Sequence, residues 1–149
     1  MSQDNKAIVD RWFKQFWGNP WNPEVVDELA ASNMVLHYPM HGPKPRKGRA
    51  DVKTFITEFR EAFPDLNFWA TADLIAEGDY VVGRWEGGGT HTGSAFDDLA
   101  VGSLPKASSK SMRFTGTSVL RIENGKIAEE MGQEDALSAL QQLGVVGKT

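Results

Sequence analysis

The chain of 149 residues holds three histidines and no cysteine. A thiol nucleophile, a disulfide and a thiolate metal site are therefore excluded, and proton chemistry falls to carboxylates and imidazoles. Asp135 stands between the last strand-like run and a closing helical segment, 136–143, that ends at Gly144. An aspartate in that position has two readings. It can cap the helix by accepting backbone N–H bonds, which holds its pKa low, or it can face apolar groups that raise its pKa and let it take a proton from carbon. If the strand persists, alternation puts Met131 and Gln133 on the same face as Asp135, which places the carboxylate beside soft apolar surface. His37 and His91 each either satisfy a structural hydrogen bond or donate one to a developing enolate oxygen. His91 shares the parity of Val81, Gly83 and Trp85, so it is expected at the mouth of any pocket that Trp85 helps to line.

Other groupings are weaker. His37 and His41 would be roughly 13 Å apart along a strand at about 3.3 Å per residue, whereas two imidazoles on one zinc place nitrogens about 2 Å from the same ion. No acidic third ligand is close in sequence, so no metal is expected. Asp97-Asp98 and Glu129-Glu130 are adjacent rather than opposed carboxylates, which gives no support to glycoside hydrolysis. Gly87, Gly88 and Gly89 lack the Lys-Ser/Thr ending and the following helix of a phosphate cradle, and they read as a bulge or sharp bend. The cations Lys44, Arg46, Lys47 and Arg49 form a solvated loop, too short a track for a nucleic-acid backbone.

The elements that must position these groups can be read from periodicity. Ile8, Trp12 and Phe16, flanked by Val9, Phe13 and Trp17, make a broad apolar helical stripe over 6–17. Asn22-Pro23 starts a short helix that ends near Ala31. A strand at 34–39 leads to a loop, and a second amphipathic helix at 50–63 buries Val52, Phe55, Ile56, Phe59 and Phe63. The period then changes. Residues 66–74 alternate as one strand, followed by strands at 80–92, 112–122 and 126–133, with Asn124-Gly125 signalling a hairpin between the last two. Residues 94–111 carry no period and read as a long flap with a short helical turn at 96–99, closing to exclude water. The order gives an α+β fold, a curved, mostly antiparallel sheet wrapped around a pocket with helices on its concave face. The chain is expected to be a single domain spanning 1–149.

Composition narrows the partners. Net charge is −4, with 40% hydrophobic and 24% charged residues. This excludes disordered and fibrous classes and disfavours nucleic acid. The N-terminal residues lack a secretory signal and no stretch is apolar enough to span a membrane, so the expected location is cytoplasmic. Trp69 and Ile75 fall on the outer sheet face and suggest a homodimer through it.

In order along the chain, 59–66, 79–85, 89–93, 114–116, 121–127 and 141–144 resemble the SnoaL-like polyketide cyclases over nearly the whole length. The resemblance implies the cone-shaped fold shared with ketosteroid isomerase, scytalone dehydratase and limonene epoxide hydrolase. It also implies a catalytic aspartate after the last strand, by position Asp135, acting without metal or organic cofactor in an intramolecular aldol closure. Two departures stand out: Met131 replaces a tryptophan common in the family, and the 94–110 segment is longer. The expected activity is therefore that of a cofactor-independent cyclase- or isomerase-like enzyme of polyketide metabolism. Its substrate would be a small hydrophobic carbonyl compound, with Asp135 as base, His37 and His91 polarising the oxyanion, and Trp85, Met131 and Gln133 shaping the pocket. A non-catalytic binder of small hydrophobic ligands would use the same cavity.

Overall fold

A computed structural model describes residues 2–147. The first apolar stripe folds as α1 (Ser2–Trp12) and continues into a π-helical turn, Phe13–Trp17. Val9, Trp12, Phe13, Phe16 and Trp17 are all buried, and Trp12 stacks on Phe16 with ring centroids 4.1 Å apart. After the Asn22 side chain accepts the Glu24 N–H, α2 (Val25–Leu29) follows, and the chain enters β1 (Ala30–His37). A 3-10 turn (Pro39–His41) and the two-residue β2 (Arg46–Lys47) lead to α3 (Arg49–Ala62). Val52, Phe55, Ile56 and Phe59 of α3 are spaced to form one face, and that face is buried. Phe63, just past its end, is buried too.

The remaining strands are β3 (Asn67–Ala70), β4 (Ile75–Glu77), β5 (Tyr80–Thr90), β6 (Ser111–Glu123) and β7 (Lys126–Glu134), and α4 (Ala136–Gln142) closes the chain. They form one seven-stranded sheet in the order β2-β1-β7-β6-β5-β3, with β4 also on β5. All pairings are antiparallel except β1 with β7, which are parallel. This is the expected α+β architecture of a curved open sheet with few helices.

Three local expectations need correction. The strand expected over 66–74 is broken: Ala70 pairs with Trp85 and Ile75 with Val82, so residues 71–74 face only Gly83 and Arg84. The three glycines make no bulge. Gly87, Gly88 and Gly89 pair in unbroken register with Phe114, Arg113 and Met112, and a Cβ at Gly87 would collide with Phe68 on β3, so glycine there serves close strand approach. The flap contains no helical turn at 96–99. Phe96 and Leu104 instead exchange backbone hydrogen bonds as an isolated antiparallel bridge, because both side chains are needed in the core.

The bulge lies in β7. Ile127 pairs with Ile122 and Glu129 with Arg121, which leaves Ala128 as an extra residue. Ile127 and Ala128 are both buried, and from there the inward positions are Glu130, Gly132 and Glu134. Glu130 is completely buried and accepts hydrogen bonds from Trp12 Nε1 at 2.8 Å, Trp17 Nε1 at 2.9 Å and the Tyr38 hydroxyl. Two of these donors belong to the first helical segment and one follows β1, so a single carboxylate ties the helical layer to the sheet. Burial pushes its pKa up, against the three hydrogen bonds that pull it down.

Glu130→Gln replaces one acceptor oxygen by an amide NH2, which leaves an indole or phenol donor facing another donor. Urea unfolding is expected to show a loss of about 1–3 kcal/mol, the usual cost of an unsatisfied buried polar group.

Candidate active site

Between the helices and the concave face of the sheet lies a narrow, apolar cavity. Its wall is aromatic. Phe13 and Trp17 come from the π-helical turn, Tyr38 from the position just after β1, Phe59 from α3, and Phe68, Trp85 and Phe114 from β3, β5 and β6. Met40, His41 and Glu134 complete the lining. Tyr38 and Trp85 are fixed from behind: the Tyr38 hydroxyl and Trp85 Nε1 both meet Ser118 Oγ, at 2.6 and 2.9 Å, and Tyr38 also reaches Glu130. Gly132 makes this possible, since a Cβ there would overlap the Tyr38 ring.

The carboxylate in this cavity is that of Glu134. Its Oε1 accepts the Met40 N–H at 2.5 Å, while Oε2 is shielded from solvent and has no hydrogen-bond partner among the described residues. Burial raises its pKa, opposed by the Met40 hydrogen bond and by His37 nearby. An apolar wall, one unpartnered carboxylate oxygen and a raised pKa are what abstraction of a proton from carbon requires of a base.

Asp135 lies elsewhere. It is exposed, and Oδ1 accepts the Ser138 N–H at 3.1 Å, so the side chain caps α4. Met131 and Gln133 share its side of β7, as parity required, but neither belongs to the cavity lining. The physical reason is the Ala128 bulge. Parity counted from buried Ile127 leads to Glu129, Met131, Gln133 and Asp135, and the extra residue exchanges the two faces. Met131 instead continues an outward row, Ile75-Val82-Val119-Met131, one residue from each of four adjacent strands.

The two histidines expected at the site also lie outside the cavity lining. His37 is half-buried outside the lining, and its Nε2 donates to the Gly42 carbonyl at 2.9 Å. His91 is fully buried but does not reach the cavity. Its Nε2 donates to the Ser94 carbonyl at 2.6 Å, and its Nδ1 meets the Ser108 hydroxyl at 2.7 Å and accepts the Ser108 N–H at 3.1 Å. Both ring nitrogens are thus used in clasping the two ends of the flap. Trp85 does line the cavity, as parity with Val81 suggested.

Sequence reasoning missed Glu134 and His41. His41 sits on the 3-10 turn, where neither helical nor strand parity assigns a direction; Glu134 was hidden by the bulge. The flap contributes no residue to the lining but backs it: Phe96 stacks on Phe59, and Ala100 N–H donates to the Met40 carbonyl at 2.8 Å. Among the described residues no three His, Asp or Glu side chains converge as metal ligands, and no helix is long and apolar enough to cross a membrane.

Comparison with known proteins agrees with this architecture. A family model described as SnoaL-like polyketide cyclase matches residues 7–143, while no curated protein matches the chain. A solved structure from Jannaschia sp. CCS1, described as a SnoaL-like polyketide cyclase, superposes with a TM-score of 0.78 at 20% identity, covering 98% of this chain and 95% of the other. One from Acidithiobacillus ferrooxidans, described as a polyketide cyclase, has a TM-score of 0.74 at 26% identity and covers 96% of both chains. A protein with a ketosteroid isomerase-like fold from Catenulispora acidiphila DSM 44928 has a TM-score of 0.71 at 18% identity and 93% coverage of each. With the family model spanning nearly all of it and the cone fold in place, the chain belongs to the SnoaL-like polyketide cyclases.

Proposed function

We propose that the protein is a cofactor-independent cyclase- or isomerase-type enzyme in which Glu134, rather than Asp135, removes a proton α to a carbonyl of a small hydrophobic substrate. The observation that carries this reading is the Glu134 Oε2 atom, buried and without a partner among the described residues, on a largely aromatic wall. A carboxylate in water is too weak a base for a carbon acid. Desolvation raises its basicity, and the aromatic cavity offers a flat, apolar carbonyl compound a place to lie against it. The resulting enolate could attack a second carbonyl of the same chain, closing a ring, or be reprotonated at another carbon. The Met40 N–H, held on Oε1, fixes the carboxylate while leaving the other oxygen free to act. Asp135 serves the helix cap, a role in which asparagine is equivalent.

The outward row Ile75-Val82-Val119-Met131 supports a homodimer through this face. Ile75 is 66% and Val119 39% exposed, and Trp69 and Tyr80 are exposed as well.

Solvent deuterium exchange into the α-carbon of a bound cyclic 1,3-dicarbonyl, followed by NMR, tests the base. Glu134→Gln is expected to slow exchange about 10²–10⁴-fold, the range for loss of a general base, while Asp135→Asn stays near the wild-type rate. Saturable binding without any exchange in the wild-type protein would instead identify a ligand carrier.

Because the base acts ionised, and burial raises the Glu134 pKa above its ordinary 4.5, kcat/KM is expected to rise with pH along an acid limb whose midpoint lies above 4.5. A pH profile that is flat down to pH 4.5 contradicts the assignment.

For the assembly, Val119→Glu is expected to convert dimer to monomer in sedimentation equilibrium, with the circular dichroism spectrum unchanged.

A further inference from the structure

The cavity contains a second polar group. His41 Nδ1 lies 2.6 Å from the backbone carbonyl of Asp98 in the flap. A carbonyl only accepts, so Nδ1 carries the proton. Nε2 is then the unprotonated nitrogen, and it has no hydrogen-bond partner among the described residues, on a side chain that lines the cavity. The ring is packed edge-on against Phe55 and Phe59 of α3 and Phe96 of the flap. Asp98 is in turn held by Arg46 of β2, whose guanidinium pairs with its carboxylate.

We propose that His41 Nε2 is a hydrogen-bond acceptor for a hydroxyl group on the substrate, and that Asp98 and Arg46 are positioning residues that fix its tautomer through the flap. The proposal rests on the reading of Glu134 as base and deepens it. The two polar atoms of the site are then acceptors with different partners: Glu134 Oε2 takes the carbon-bound proton, and His41 Nε2 receives an enol, phenol or alcohol O–H. The substrate class narrows to neutral, flat, hydroxylated carbonyl compounds. Two features argue against an anionic ligand. Among the described residues no Lys or Arg lines the cavity, and the polar atoms that Glu134 and His41 leave free offer a carboxylate and a lone pair.

The charged and titratable surroundings of His41 support a neutral ring. Burial lowers its pKa to about 4; Asp98 pulls upward, through its charge and its carbonyl, and Arg46 and His37 push it down. Glu134, from β7, shares the cavity lining. At neutral pH the ring therefore keeps its lone pair.

Two measurements on the full chain test this. In ¹⁵N NMR with labelled histidine at pH 7, His41 is expected to show a protonated Nδ1 and an unprotonated Nε2, and Arg46→Met is expected to populate the other tautomer or bring titration nearer 6.5. An Nε2–H tautomer in the wild-type protein overturns the proposal. In binding measurements, 2-naphthol is expected to bind about fivefold to tenfold more tightly than naphthalene, as one neutral hydrogen bond gives. That preference should vanish in His41→Phe and persist in Glu134→Gln. If it persists in His41→Phe and vanishes in Glu134→Gln, the hydroxyl belongs to the carboxylate and the His41 assignment fails, while the assignment of Glu134 as base is still decided separately by α-carbon exchange.

Discussion

One extra residue in the last strand decides what this cone contains. Between the pairs Ile127–Ile122 and Glu129–Arg121, Ala128 has no partner, and every side chain after it changes face. Without that bulge, β7 would present Glu129, Met131, Gln133 and Asp135 to the helices. With it, Glu130, Gly132 and Glu134 turn inward, and each is required there. Glu130 binds the indoles of the first helical segment, Gly132 makes room for Tyr38, and Glu134 enters the cavity.

Glu130 and Glu134 are the same residue type one helical-turn's count apart on one strand, and their surroundings assign them different work. Glu130 is closed off by two indole N–H groups and a phenol, so its oxygens are spoken for and its ionised form is stabilised against burial. Glu134 accepts the Met40 N–H on one oxygen, and the other is buried with no partner among the described residues. A fully satisfied buried carboxylate is a structural joint, whereas a partly satisfied one keeps a raised basicity, the property on which the proposed role of Glu134 rests. The Tyr38-Ser118-Trp85 chain links the two regions, because the joint at Glu130 also sets two rings of the cavity wall.

The fold was largely legible in the sequence because it is written in features that act locally. The Ile8-Trp12-Phe16 stripe can be buried only as a helix, the Val52-Phe59 face needs a sheet beneath it, and Asn124-Gly125 adopts the positive φ angles of a tight hairpin. Family resemblance supplied the cone. The site was less legible, since it depends on register. Parity correctly grouped Met131, Gln133 and Asp135, yet a bulge at an ordinary alanine reversed the face they occupy, while the glycine run that looked like a bulge continues its ladder without one. Asp135 carried both of its possible readings in the sequence, and the structure shows the cap. His41 could be weighed in the sequence only as a metal ligand beside His37, because its direction comes from a 3-10 turn and from a flap carbonyl 57 residues away in sequence.

The central claim is that Glu134, and no other carboxylate after the bulge, is held dry against the cavity. A ¹³C NMR titration of glutamate-labelled protein, with the Glu134 carboxyl carbon assigned by loss of its signal in a variant, tests this most directly. Titration midway above the ordinary glutamate value of 4.5, moving when a flat dicarbonyl compound fills the cavity, is the result predicted from its burial. A carboxyl that titrates at or below 4.5 and does not respond to the ligand would contradict it.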